Sequence, residues 1–253
     1  MNPRTLLVLT TLASSASLAA PATHAAEITV MSSVAIKDAY LELAPAFEQA
    51  TGHKVRTLWV PTVEMMTRLK TDEKVDLVLM SATGIDELTK LGKLVPGTRV
   101  DVVKSGIGVA VRKGAPRPDL SSAESLKAAL LAAKSISYST GPSGVYLVGL
   151  FERMGIAEAI KPKIRQVQGV PVAELVARGE VELGFQQISE ILPVAGAELA
   201  GPLPAQVQSI TTFAAALRPG AQAGEAAQAW VKFLTAPGAA AVIRKHGLEP
   251  AGG

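Results

Sequence analysis

Residues 75–91 read Val-Asp-Leu-Val-Leu-Met-Ser-Ala-Thr-Gly-Ile-Asp-Glu-Leu-Thr-Lys-Leu. Val75 to Met80 is a continuous apolar run around one acid, Asp76. A strand with apolar residues on both faces suits a parallel sheet covered by helices. Ser81 to Gly84 is a small, hydroxyl-bearing loop, and Ile85 to Leu91 has the spacing of a helix. The same order stands upstream. Ile28 to Met31 is a short strand, Ser32-Ser33 follows, and Tyr40, Leu43, Ala44 and Phe47 then share one helical face. Val55 to Val60 is a second strand, leading through Pro61-Thr62 to a helix with Met65, Met66 and Leu69. Downstream, Ile136-Ser137-Tyr138 gives way to Ser139–Gly144 and a helix from Val145 to Met154. Strands alternating with helices predict an α/β fold.

The punctuation agrees. Gly52 and Gly155 are placed to stop helices, and Pro45 predicts a kink in the first one. Ile107 to Val111 is a strand, and Ser121-Ser122 caps a helix to Ala133. Glu174 to Arg178 is helical, and Val181 to Phe185 is a strand running into Gln186-Gln187. Gly201 to Pro204 is a loop, Ser209 to Leu217 a strand, and Glu225–Leu234 and Ala239–His246 are closing helices. No short-period repeat is present, which excludes a solenoid.

Residues 1–26 read as an export signal. Arg4 gives a short positive region, an apolar run extends from Leu6 to Ala20, and small residues reach Ala25-Ala26. The run is too short and too interrupted by Ser and Thr to span a bilayer. The expected product is a periplasmic protein released by cleavage of that segment.

Composition narrows the chemistry. The 253 residues contain no cysteine, which excludes disulfides, thiolate metal sites and a cysteine nucleophile. With 25 Lys plus Arg against 22 Asp plus Glu, interspersed along the chain, there is no nucleic-acid footprint. Only ten residues are aromatic (5 Phe, 2 Trp, 3 Tyr), so Ala, Val and Leu must build most of the core. Catalytic signatures fail on inspection. Gly141-Pro-Ser-Gly-Val145 lacks the last glycine of a nucleophile elbow, and Gly106-Ile-Gly108 lacks the third glycine of a dinucleotide fingerprint. His53 and His246 have no patterned partners, and no clustered His and carboxylates suggest zinc. No catalytic residue, resident metal or cofactor is predicted.

What recurs is a strand, a hydroxyl-rich loop and a helix N-terminus, at Ser32-Ser33, Thr62, Ser81–Thr83 and Ser139–Ser143. Such junctions turn free N–H groups and the positive end of a helix outward. Each hydroxyl could simply cap its own helix. Several aimed at one cleft would hold an anion without arginine or lysine.

Glu27–Met31, Leu43–Glu48 with Thr51-Gly-His53, Asp76–Ala82, Gly106–Arg112, Pro142–Tyr146 and Gly179–Gly184, in that order, resemble the periplasmic molybdate-binding proteins of ABC importers. The resemblance implies a type II periplasmic binding protein. Its two α/β lobes, each a mostly parallel sheet flanked by helices, are joined by two crossover strands. Lobe I would comprise 27–104 plus 207–253 and lobe II 105–206, with crossings near Val102–Gly106 and Gln206–Thr211. It further implies an oxyanion held by neutral donors. These fall at or beside Thr62, on Ser143 in the candidate loop that also holds Ser139, Thr140 and Gly144, and on a backbone N–H near Val170. Two positions depart from the family: its first serine aligns with Ala35, although Ser32 and Ser33 stand just before it, and its tyrosine aligns with Gln187.

The function so implied is that of a monomeric, non-enzymatic binding protein. It would deliver a small anion, molybdate or tungstate first, to an importer permease. The amide pair Gln186-Gln187 and the lost serine suggest a small organic acid instead, although no arginine stands in the loops to pair with a carboxylate. A periplasmic sensor subunit and an exported hydrolase using Ser143 are the readings from other classes.

Overall fold

The computed structural model describes residues 25–71 and 73–252, so all but the last two residues of the predicted export signal lie outside the described residues. In chain order the elements are β1 (Glu27–Ser32), α1 (Lys37–Thr51), β2 (Lys54–Trp59), α2 (Thr62–Leu69), β3 (Leu77–Ser81), α3 (Ala82–Lys90) and β4 (Val100–Arg112). There follow α4 (Ala123–Ala132), β5 (Ile136–Ser139), α5 (Pro142–Arg153), α6 (Ala157–Ile160), β6 (Ile164–Val167), α7 (Val172–Ala177), β7 (Leu183–Gln187) and α8 (Ile188–Ile191). The chain closes with β8 (Ala197–Pro202), β9 (Ile210–Leu217), α9 (Gly224–Leu234), α10 (Ala240–Lys245) and β10 (Glu249–Pro250).

The strands lie in the order β2-β1-β3-β9-β4-β7-β5-β6, with β8 and β10 also paired to β4. At one end β1 is parallel to β2 and β3, and at the other β5 is parallel to β6 and β7. The middle is antiparallel, because β4 and β9 run against their neighbours. The fold is therefore mixed α/β, with parallel ends joined through two long antiparallel strands. β4 changes partners partway along: Val100 to Gly106 pairs with β9, and Ile107 to Ala110 pairs with β7.

Side-chain alternation, with its period of two, divides the core by face. Ile28, Val30, Leu77, Leu79, Phe213 and Ala215 pack on α1 and α9 around the fully buried Trp230. Met31, Val78, Met80, Ala214 and Ala216 face the other way, onto α2 and α3. Past the partner change a separate core begins, with Ile107, Val109, Val111 and Phe185 against α4 and α5. Asp76, the acid in the decisive run, is satisfied. It accepts from the N–H groups of Thr29 (2.8 Å), Gln222 (2.8 Å) and Ala223 (3.1 Å), tying β1 to the chain entering α9.

α1 continues on both sides of Pro45, and the Leu41 carbonyl that the proline leaves without a donor belongs to an exposed residue, where water can serve it. Three expectations need correction. The loop foreseen at Ser81–Gly84 is absent, because α3 follows β3 directly. α5 starts at Pro142 rather than Val145, with proline in the first turn, where its missing N–H is harmless. Gly201 and Pro202 belong to β8, which pairs with β4 across a register shift between Val109 and Ala110. Among the described residues no helix is long and apolar enough to cross a membrane.

Candidate functional site

A cleft of about 570 Å³ opens where the ends of the strands face one another across the partner change of β4. Ser33 and Thr62 line it from one side, and Ser139, Thr140 and Ser143 from the other. Val170, Gln186 and Gln187 complete the predicted residues that reach it.

One donor end belongs to α5. Gly141 caps it without a side-chain bond, and the Ser139 hydroxyl accepts from the Gly141 N–H (3.2 Å). Ser143 and Gly144 occupy the first turn, where N–H groups have no intrahelical acceptor and the helix end is positive. Gly144 is what lets this turn sit so close to β5. A Cβ there would lie 1.6 Å from the Ser139 carbonyl oxygen, so any side chain would force the turn away from β5. Thr62 opens α2 behind Pro61, again with no side-chain cap on the helix. Ser33 is different: its hydroxyl accepts from the Ala35 N–H (3.3 Å) and caps its own short turn.

Three predicted residues do not line the cleft. Ser32 is fully buried at the end of β1 and donates to the Ser33 carbonyl (3.3 Å). Ser81 is buried at the β3–α3 junction, where its hydroxyl meets that of Thr83 (3.4 Å). Gly144 packs backwards against β5 and contributes position rather than surface.

The amide pair divides its work. Gln186 accepts from the Ala173 N–H (3.0 Å) and turns its amide nitrogen towards Glu190. Gln187 donates to the Thr211 hydroxyl (2.9 Å), and its own Oε1 is buried without a partner. Sequence reasoning missed the charged residues of the lining: Lys37 and Asp38 from the start of α1, Glu174 from α7, and Glu190 from α8. For Glu190 there was a signal. Gln187 caps α8 and Glu190 stands three residues on, the spacing of a capping box, with the Gln187 N–H directed at the carboxylate. Burial outweighs these hydrogen bonds and pushes the Glu190 carboxyl up to about 7. The same lining carries apolar surface from Val34, Val170, Pro171 and Val194. Among the described residues no group of three or more His, Asp or Glu could hold a metal ion.

An α/β chain whose strand ends and helix N-termini converge on such a cleft has the form of a solute-binding protein. The family model for bacterial extracellular solute-binding proteins matches residues 28–249, and the chain belongs to that family. It is 39% identical to an aconitate isomerase of a Pseudomonas species over 229 residues, covering 88% of this chain and 87% of that one. It is 29% identical to the molybdate-binding protein of Azotobacter vinelandii, over 92% of this chain and 93% of that one. The solved periplasmic molybdate-binding protein of A. vinelandii superimposes with a TM-score of 0.70 at 18% identity, covering 87% of this chain and 98% of the other.

Proposed function

We propose that this chain is an exported binding protein whose cleft takes a small unsaturated polycarboxylate of the aconitate type. The observation that carries this reading is the lining itself. Donor ends at Ser143 and Thr62 share the lining with the apolar side chains of Val34, Val170, Pro171 and Val194, in a volume of about 570 Å³. That size lies within the range of about 300–1,000 Å³ usual for organic ligands. A tetrahedral oxyanion has four acceptors and no carbon skeleton, so it has no use for the apolar stretch. A polycarboxylate can place its charges at the helix ends and near Lys37, and its carbons between. The isomerase relative supports the same ligand class.

Molybdate or tungstate is the alternative occupant, favoured by the neutral hydroxyls of Ser33, Thr62 and Ser143 at the cleft. In this proposal 27–104 with 207–253, and 105–206, are the two lobes that close on the ligand. The protein works in the periplasm after loss of residues 1–26, and an importer permease receives the loaded form.

Thermal-shift titration of the chain from Glu27 onward tests the ligand. Cis- and trans-aconitate and citrate are compared with molybdate, tungstate and sulfate. A ligand at 100 times its Kd adds about 2.7 kcal/mol of stability. Stabilisation by the oxyanions with none by the carboxylates would overturn the reading.

A further inference from the structure

Resting on the polycarboxylate reading, we propose that Glu190 is a catalytic residue, carrying a proton between the two ends of the three-carbon unsaturated unit of a bound aconitate. Glu190 lines the cleft from α8, the one-turn helix that follows β7 immediately. The Gln187 N–H and the Gln186 amide face its carboxylate, and Gln186 is itself anchored on α7 by accepting from the Ala173 N–H. Two donors leave further lone pairs free for a proton. No cation lies within ion-pair distance of it among the described residues, whereas Glu174, in the same lining, pairs with Arg178 at 3.4 Å.

The chemistry balances without a cofactor. The Glu190 carboxylate takes a proton from the methylene carbon. The C–H electron pair becomes a new double bond, and the old double bond delivers its pair to the former vinyl carbon. That carbon takes the proton back from the Glu190 carboxylic acid. Nothing is oxidised or reduced, and the product is aconitate with its double bond moved by one carbon. The cis or trans outcome follows from the conformation in which the cleft holds the skeleton. Negative charge spreads onto the flanking carboxylates during transfer, where the N–H groups opening α5 and the Lys37 ammonium can meet it. A carboxyl held near 7 by burial both accepts and returns a proton at neutral pH. The charged groups sharing the cleft with it are Lys37 and Asp38 from α1 and Glu174 from α7.

The experiment follows trans-aconitate by proton NMR in D₂O at pH 7, with the whole mature chain. The wild-type protein should produce the cis isomer and exchange the methylene hydrogens for deuterium. Glu190→Gln should keep the aconitate-induced thermal shift, with Kd changed less than about tenfold. It should lose isomerisation and exchange together by about 10²–10⁴-fold, the usual share of a general acid–base group. In the wild type, the rate should also rise through about pH 7, a limb absent from Glu190→Gln. If Glu190→Gln no longer shows the thermal shift, Glu190→Asp decides, its shorter carboxylate slowing turnover at least tenfold. Aconitate binding without isomerisation or exchange in the wild type overturns the inference and leaves the ligand assignment standing. Absence of any polycarboxylate binding overturns both. Wild-type turnover in Glu190→Gln, or in a folded Glu190→Asp, overturns the inference alone.

Discussion

A Cβ at Gly144 would need the space held by the Ser139 carbonyl, and neither atom belongs to a flexible side chain. Gly144→Ala must therefore push α5 away from β5, with an expected loss of about 1–3 kcal/mol. Urea denaturation should show a lower midpoint, and ligand affinity should fall as the donor end retreats. Glu190 gives the second expectation at this scale. Burial raises its carboxyl from 4.5 to about 7, so the folded state binds the proton more tightly than the unfolded one. Stability is therefore greatest at low pH and falls as pH rises between those values. Lys37, Asp38 and Glu174 share the cleft and move the midpoint without reversing the sign. Glu190→Gln removes the penalty. The variant should match the wild type near pH 4.5 and exceed it at pH 8, by at most about 3 kcal/mol. Thermal melts at both pH values check this, and equal differences at the two would refute it. Gly144 was legible as part of the site loop but not as the point of close approach to β5. For Glu190 the sequence offers only the capping-box spacing from Gln187, and its place in the cleft shows once the sheet positions α8.

At the scale of elements, strands and helices were legible where apolar period and capping chemistry coincide. Val75 to Met80 announced β3, and Ser122 announced α4, whose hydroxyl does accept from the Ser125 N–H (3.0 Å). The misses share a cause. β6, β8 and β10 are short, polar or edge-lying, and take their structure from pairing with β5 and β4 rather than from their own sequences. Likewise α5 starts three residues early because Pro142 is preset for a first turn. That early start bears on the proposed role of Ser143. Its N–H lies within the first turn, and its side chain is buried at the cleft wall. Ser143→Ala keeps the N–H and removes one hydroxyl, so Kd should rise by at most about 10- to 100-fold. Ser122→Ala, at a cap outside the cleft, should lower stability by about 1 kcal/mol, roughly 2–4 °C in Tm, and leave Kd unchanged. Calorimetric titration beside thermal melting separates the two. A Kd effect from Ser122→Ala as large as that from Ser143→Ala would dissolve the distinction.

At the scale of the whole molecule, buried clusters lie on either side of the partner change of β4, and the proposed ligand would be shared by the two parts. β4 passes from one to the other at Gly106–Ile107, and the chain returns through the segment between β8 and β9. Side-chain contacts across the join cluster on α8. Ser189 donates to the Ala35 carbonyl (2.6 Å), while Gln187, just ahead of the helix, bonds Thr211 on β9. Gly108 makes room for α8 on β4, because a Cβ there would come within 3.0 Å of Ile188, Ile191 and Leu199 side chains. The helix carrying Glu190 is thus also the piece wedged between the halves. Closure about β4 would change its contacts and the position of the carboxylate together. Hinge closure is the expected response when one ligand bridges two bodies linked by so little chain. Solution scattering with saturating aconitate should then give a smaller radius of gyration than the empty protein. Ser189→Ala removes a buried bond across the join, and its effect should appear in the empty protein as a larger radius of gyration. Loss of one such bond, at about 0.5–1.5 kcal/mol, is too small to unfold the chain. It is large enough to shift a closure equilibrium by about tenfold. Scattering curves that ligand leaves unchanged in both proteins would mean that the cleft is rigid and that α8 serves only as packing.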